Sequence, residues 1–299
     1  MINILLAILF SSCIIITFRL FSVFRVANLP AITLNYLVAG VLSYIAYPGE
    51  IQYMQIIGSS WMPWAIANGF LFIAVFFVFA RSAQKAGVAI TAVASKMSVI
   101  IPVSIGIFIY NDLLNSTKAV GILMAFPAFY LIFSGRQKEP NKTSYFLLPV
   151  LLFFGTGAND SIMKHAQNFH VGDQYLLFLG TIFFISLLFG VAGLMVKSIR
   201  RHYKAVSEKS YYSSFKGFLT DWKVLVGGIV LGALNFASTM YFLKSVAIFQ
   251  STVFFPVFNV SIVSMGALIG LLLFKEKLLA RNWAGILVAI VTIMLIAIA

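Results

Sequence analysis

Two charged residues, one basic and one acidic, lie well inside long apolar stretches of the sequence, away from their ends. Lys96 lies near the middle of residues 86–110, and Asp160 lies within residues 144–166. A charged side chain inside a bilayer is costly unless it has a partner, faces water or loses its charge, so such residues are by default candidates for function. We predict that Lys96 binds a substrate or counter-ion and that Asp160 carries a coupling proton.

Each of these two residues also has other interpretations, which the sequence leaves open. Lys96 lies 10 residues from one end of its apolar stretch and 14 from the other, which is far for a lysine to reach an interface. It alternatively bonds to backbone carbonyls near Pro102. Asp160 alternatively pairs with Lys96, binds a substrate amine, or pairs with Lys164 four residues further along the same helix.

Uncharged polar residues complete the candidate binding site. Amide side chains both donate and accept hydrogen bonds, which suits recognition of a carboxylate or an amide, but they also join helices within membranes. We expect Asn35 and Asn68 to join helices. We expect the following residues to contact substrate together with Lys96: Ser95, Asn159, Asn235 and Asn259.

The composition sets the class of protein. Of 299 residues, 61% are hydrophobic and only 10% are charged, whereas a soluble domain has about 25% charged residues. Disordered chains are less hydrophobic, and barrel strands alternate apolar with polar residues. The sequence therefore predicts an all-α integral membrane protein with ten spans, at residues 3–21, 29–47, 61–80, 86–110, 116–134, 144–166, 174–196, 222–243, 248–274 and 280–298.

The sequence shows no sign of an enzyme, a metal site or a cofactor site. The longest connection, residues 197–221, is too short for a catalytic domain outside the bilayer. The three histidines, His165, His170 and His202, do not have the spacing of metal ligands on one face. We find no catalytic triad and no nucleotide-binding loop. The net charge of +13 comes from short loops, which argues against nucleic-acid binding.

Basic residues alternate strongly between the two sides of the predicted membrane. Of the 21 lysines and arginines, 17 belong to one set of alternating loops, which we call the basic face. Basic residues resist translocation, so this face is predicted to be cytoplasmic and both termini to face outward. We expect the protein in the inner membrane of a bacterial-type cell, as a multi-pass protein in contact with lipid.

The two halves of the sequence repeat. Residues 76–134 align with 239–298, and the matched pairs are Arg81 with Lys244, Asp112 with Glu276, and Gly121 with Gly285. The predicted division is a first repeat at 1–136, a linker at 137–143 and a second repeat at 144–299. Because each repeat has five spans, an odd number, the two must be inserted with opposite polarity, as in many transporters.

Two short motifs carry a family resemblance. Residues 274–278 (FKEKL) followed by 283–287 (WAGIL), together with the shorter match at 112–114 (DLL), resemble the drug/metabolite transporter superfamily, in particular its EamA branch. This resemblance implies ten helices in two inverted repeats and an exporter of small metabolites.

Small residues and prolines indicate how the helices pack. Gly228 and Gly232 are spaced four residues apart, as are Gly266 and Gly270, which permits close helix contacts or a homodimer interface. The two prolines within the fourth and ninth stretches, Pro102 and Pro256, are expected to kink them.

These observations lead to one functional prediction and its alternatives. We expect a secondary transporter that moves a small anionic or zwitterionic metabolite by alternating access, because a lone cavity lysine attracts carboxylate or phosphate. The alternatives are a lipid or lipid-phosphate flippase of similar architecture and a membrane protein that does not transport.

Overall fold

A computed structural model of the chain describes residues 2–49, 51, 53–109, 115–133, 143–172, 174–204, 221–248, 251–276 and 279–298. In these ranges the regular secondary structure is helical. The helices are α1 (Ile2–Val23), α2 (Asn28–Ile45), α3 (Tyr53–Ile57), α4 (Met62–Lys85), α5 (Val88–Met97), α6 (Ile100–Ile109), α7 (Ser116–Phe133), α8 (Thr143–Ala166), α9 (Tyr175–Lys204), α10 (Trp222–Ile248), α11 (Ser251–Leu272) and α12 (Ala280–Ile298).

Five helical segments are long and apolar enough to cross a membrane. Among the described residues these are Ile2–Val23, Asn28–Ile45, Met62–Lys85, Tyr175–Val196 and Trp222–Phe242. Every one of the ten apolar stretches contains a helix. A helix satisfies its own backbone hydrogen bonds, which is what an apolar surrounding demands.

The helices expose large apolar side chains that a soluble protein would bury. Leu9 on α1 is 50% exposed, Phe70 on α4 is 53% exposed, and Leu188 on α9 is 67% exposed. Exposed apolar faces of this extent mark contact with lipid or with another protein. They agree with the membrane environment that the composition predicts.

The fourth apolar stretch forms two helices, where its composition predicts one. Pro102 has no backbone N–H, so the carbonyl of Ser98 loses its usual donor four residues later. That carbonyl instead accepts the N–H of Ile101 at 2.9 Å. The Ser98 hydroxyl donates to the carbonyl of Ser95 at 2.5 Å, which further loosens the regular pattern. The expected kink at the proline is therefore a break at residues 98–99.

Two sequence predictions remain, namely the kink at Pro256 and the linker between the two repeats. Helix α11 continues past residue 256, so the second predicted kink does not interrupt it. Asp112 and residues 134–142, which include most of the predicted linker, lie outside the described residues.

The helices form two compact units, and each unit takes segments from both halves of the sequence. The first unit comprises residues 1–19, 78–161 and 237–299, and the second comprises 20–77 and 162–236. In the first unit, α5 packs against α11, and α7 packs against α12. Its core includes Val93 of α5, Val263 of α11 and Ile286 of α12. In the second unit, α2 packs against α9.

The glycine pairs form close helix contacts, as their spacing predicts. In the second unit, a Cβ atom built on Gly228 lies 2.7 Å from the Leu34 Cβ, and one built on Gly232 lies 2.6 Å from the Val38 Cβ. In the first unit, Gly266 of α11 packs on the methyl group of Ala92. These glycines let helix backbones approach more closely than larger residues permit.

Replacement of Gly232 by alanine is expected to destabilise the protein. The new methyl group overlaps with α2, and overpacking of this kind costs roughly 1–3 kcal/mol. Gly193→Ala is the matched control, because its methyl group would meet only the Leu29 Cδ2 at 3.9 Å. Thermal unfolding in detergent should show a lower melting temperature for Gly232→Ala alone. Equal melting temperatures would contradict the close contact.

Candidate functional site

Lys96 lies in the last turn of α5, directly before the break. Its side chain is half-buried. The Nζ atom lies 4.8 Å from the centre of the Phe258 ring on α11, within the range of a cation–π contact. A cation in the last turn of a helix also faces the negative end of the helix dipole. The Phe258 ring and the end of α5 thus both offer the ammonium group negative partial charge.

Asp160 of α8 provides the opposite charge. The Lys96 ammonium and the Asp160 carboxylate interact electrostatically, and the side chain of Asn159 donates a hydrogen bond to the carboxylate. In the described part of the chain, Lys96 is therefore the cation that acts on Asp160. The alternative pairing with Lys164 is not the one that the structure forms.

Asp160 belongs to a polar face of α8. Its side chain is exposed in the structure. Thr156, Asn159 and Asp160 are spaced at i, i+3 and i+4, so they share one face of the helix. The Thr156 Oγ1 and Asn159 Oδ1 atoms are buried without a hydrogen-bond partner among the described residues.

Unpartnered polar atoms of this kind are uncommon in folded proteins, because each one loses its bonds to water without a replacement. Two of them on the same helical face as Asp160 indicate a place where water or a bound molecule supplies the missing partners. The polar face of α8 therefore has unused hydrogen-bonding capacity.

Helix α8 packs closely against the start of α6, just beyond the helix break. Gly157 lies between Thr156 and Asn159, and the side chain of Ile101 on α6 occupies the space that a Cβ atom there would need. Ile101 is only three residues beyond Ser98, at the start of α6. This close approach holds α8, the helix that carries Asp160, against the segment that follows Lys96.

The other predicted site residues have different surroundings. Ser95 is buried and donates a hydrogen bond to the Ala92 carbonyl at 3.1 Å. Asn259 is buried on α11, next in sequence to the Phe258 that contacts Lys96. Ser95 and Asn259 thus each adjoin a residue of the Lys96–Phe258 contact. Their contact with a substrate stays a prediction.

Asn235 belongs to the second unit. Its Nδ2 donates to the Oδ1 of Asn35 at 3.2 Å, which joins α10 to α2. The expectation that Asn35 joins helices is confirmed, and Asn235 is its partner. Asn68 is fully buried, but neither atom of its amide has a hydrogen-bond partner among the described residues.

The sequence did not single out Phe258 or Thr156. The chain contains 30 phenylalanines, and nothing in the pattern distinguishes the one that lies on Lys96. Thr156 had a detectable signal, because it precedes Asn159 and Asp160 by one helical turn and thus shares their face.

The histidines are also closer together than their spacing suggests. After α8, residues Gln167–Val171 form a π-helix, whose wider turn places residues five apart on the same side. As a result, the rings of His165 and His170 lie 5.7 Å apart, and both contact the indole ring of Trp64. Among the described residues there is no group of three or more metal-ligating side chains.

The arrangement around Lys96 can bind a small polar molecule. It combines one cation, one carboxylate, and amide and hydroxyl oxygens without partners in the part of the chain that is described. Phe258 and Phe242, whose ring centres lie 5.1 Å apart in an edge-to-face arrangement, form an aromatic wall. Sites for small ligands typically have mostly apolar walls and a few polar groups in fixed positions. The opposite charges of Lys96 and Asp160 suit a molecule that carries a negative group, with or without a positive one.

Comparisons with known proteins define the fold and not the function. No family model matches the chain. An uncharacterised protein of Haemophilus influenzae is 24% identical over 293 residues, which cover 95% of this chain and 94% of that protein. A solved crystal structure, described only as that of a protein, has a TM-score of 0.54 at 13% identity, and the match covers 97% of each chain. The likeness shows a fold shared over almost the whole length.

Proposed function

We propose that the protein is a secondary transporter that moves a small anionic or zwitterionic metabolite across the inner membrane by alternating access. Substrate binds between Lys96 and Asp160, with Phe258 as an apolar wall. Asn159 and Thr156 supply further hydrogen bonds. Asp160 carries the proton whose movement is coupled to transport.

One observation carries this proposal: a cation and a carboxylate interact inside apolar helices, beside a helix break and unsatisfied polar atoms. Ionisable groups at such positions are expensive and mark substrate or proton pathways. Broken helices inside membranes occur where the backbone lines a cavity or a binding site. A purely structural ion pair would need neither the break nor the unpartnered amide oxygen.

The membrane architecture in this proposal has ten spans in two inverted five-helix repeats. Support comes from the helix in each apolar stretch, including the shorter apolar helices of the fourth, ninth and tenth stretches. The charge bias of the loops favours a cytoplasmic basic face and both termini outside. The motif around Glu276 favours membership of the drug/metabolite transporter superfamily, whose EamA branch suggests export.

A thermal-shift screen of the purified protein tests the proposal. The panel contains carboxylates, phosphate esters, amino acids and amines. A ligand at 100 times its Kd stabilises the folded state by about 2.7 kcal/mol, which raises the melting temperature by several degrees. We expect stabilisation by an anionic or zwitterionic class, and counterflow of that compound in proteoliposomes. Stabilisation by amines alone, or a stabilising ligand without counterflow, would refute the proposal.

A further inference from the structure

A two-residue turn joins α4 to α5, and the start of α5 has no side-chain cap of its own. The turn consists of Ala86 and Gly87, and Gly87 has a φ of +98°, which L-residues with a side chain rarely adopt. Gly87 has no side chain to cap α5. The first N–H groups of α5 therefore need acceptors from elsewhere in the protein.

Glu276 provides these acceptors from a distant part of the chain. Its Oε1 accepts the N–H of Val88 at 2.7 Å, and its Oε2 accepts the N–H of Ala89 at 3.4 Å. Glu276 lies in the connection between α11 and α12, 188 residues after Val88. A carboxylate at this position also faces the positive end of the α5 dipole.

Two glycines make room for the Glu276 carboxylate. A Cβ atom on Gly87 would lie 2.9 Å from the Oε2 of Glu276. A Cβ atom on Gly270 of α11 would lie 2.7 Å from the same oxygen. The main chain holds it there, because Lys275 adopts a left-handed φ of +49° and the N–H of Glu276 donates to the Gly270 carbonyl at 2.8 Å. The carboxylate occupies a site shaped for it.

Arg19 of α1 holds the other side of the turn. Its Nη1 donates to the carbonyl of Gln84 at 2.5 Å and lies 3.5 Å from that of Ala83, at the negative end of α4. Its guanidinium group also lies 5.7 Å from the centre of the Phe274 ring, two residues before Glu276. Each helix end thus meets a charge of the sign that its dipole favours.

We propose that Arg19, Phe274 and Glu276, here called the clamp, close the Lys96 site towards the basic face and must release the α4–α5 turn when the site opens there. This inference rests on the proposed alternating access. Lys96 lies eight residues beyond Val88, roughly 12 Å along α5, so movement of the helix start repositions the ammonium group.

The clamp is suited to repeated opening. Glu276 is only half-buried, so water can replace the carboxylate at the N–H groups of α5 when the contact breaks. Both partners come from tight turns with left-handed residues, at Gly87 and Lys275. In this structure the clamp is formed, which corresponds to a site closed at the basic face.

Labelling of a reporter cysteine from each membrane face tests the clamp. The reporter is Thr156→Cys in a Cys13→Ser background, and the probe is a membrane-impermeant methanethiosulfonate. It is applied to inside-out and right-side-out vesicles. Glu276→Gln keeps the shape but removes the charge and one of the two acceptors. We expect the ratio of labelling from the basic face to labelling from the opposite face to rise roughly tenfold, because each molecule that leaves one open state enters the other.

Two further variants separate gating from a general loss of structure. Gly270→Ala displaces the carboxylate without a change in charge and should shift labelling in the same direction. Asp221→Asn is the matched control, because Asp221 also accepts an N–H at a helix start, that of Lys223 at 3.0 Å, but lies outside the clamp. It should leave labelling from both faces unchanged.

Several outcomes would overturn the clamp. The first is unchanged labelling in Glu276→Gln. The second is a rise in labelling from both faces, which indicates fraying of α5. The third is loss of folding in both clamp variants, which makes the contact purely structural. The labelling ratio needs no ligand. It therefore tests the clamp even if no metabolite stabilises the wild type, and failure of the thermal-shift screen alone refutes only the proposed transport function.

Discussion

Lys96→Met is expected to abolish ligand binding and transport while the protein still folds. Methionine reproduces the lysine side chain only as far as Cε, so it keeps most of the apolar stem but removes the charged Nζ that lies over the Phe258 ring. Loss of one partner from a desolvated, hydrogen-bonded charge pair costs roughly 2–5 kcal/mol, so affinity for an anionic or zwitterionic ligand should fall at least about 30-fold. The measurement is the ligand-induced rise in melting temperature of wild type and variant.

Stability of the variant without ligand distinguishes a binding role from a structural role. Asp160 keeps accessible surface and its hydrogen bond from Asn159, so the carboxylate tolerates the loss of Lys96. We expect a melting temperature close to that of wild type. If Lys96 instead holds the broken helix together, the unliganded variant should melt well below wild type. If the ligand stabilises variant and wild type equally, the site lies elsewhere.

The positions of the helices could be predicted because apolar runs of this length rarely form any structure other than a membrane-spanning helix. A run of about 20 apolar residues must satisfy its backbone internally, and a helix does so. The position at which the helix of the fourth run breaks could not be predicted, because it depends on which carbonyl loses its hydrogen bond to the missing N–H of Pro102. That effect falls on the Ser98 carbonyl, one turn earlier, and a proline alone does not distinguish a bend from a break.

The charges of the candidate site could be predicted, but their surroundings could not. Lys96 and Asp160 stand out because a charge within an apolar stretch is expensive, whatever the fold. Phe258 does not stand out, because aromatic contacts depend on which helices become neighbours. The sequence spacing of His165 and His170 gave no sign that they are neighbours, because it does not reveal the π-helix that follows α8 and brings their rings to 5.7 Å.

The asparagines show how one residue type gives an ambiguous signal. Asn235 and Asn35 are 200 residues apart in sequence, yet they form one hydrogen bond between α10 and α2. The same amide chemistry suits substrate recognition and helix contact, so the sequence could not decide between them. The Asn159 Oδ1, like that of Asn68, has no partner among the described residues, and it is the one that shares a helical face with Asp160.

Asp160→Asn is expected to uncouple transport from the proton gradient and to change which ligands bind. Asparagine has the same shape as aspartate but carries no charge and takes up no proton. Lys96 then loses the negative charge that opposes it, so a purely anionic ligand should bind as tightly as in wild type or more tightly. A zwitterionic ligand loses the partner of its ammonium group, and its affinity should fall roughly tenfold, or about 1.4 kcal/mol.

Two measurements check this expectation. One is uptake into proteoliposomes with and without a pH gradient, and the other is the thermal shift with anionic and zwitterionic ligands. Asp221→Asn again serves as the control, because Asp221 is an acid at the start of α10, in the second unit. A response to the pH gradient that survives in Asp160→Asn would exclude Asp160 as the coupling site. Equal losses for anionic and zwitterionic ligands would mean that the carboxylate positions Lys96 and does not contact the ligand itself.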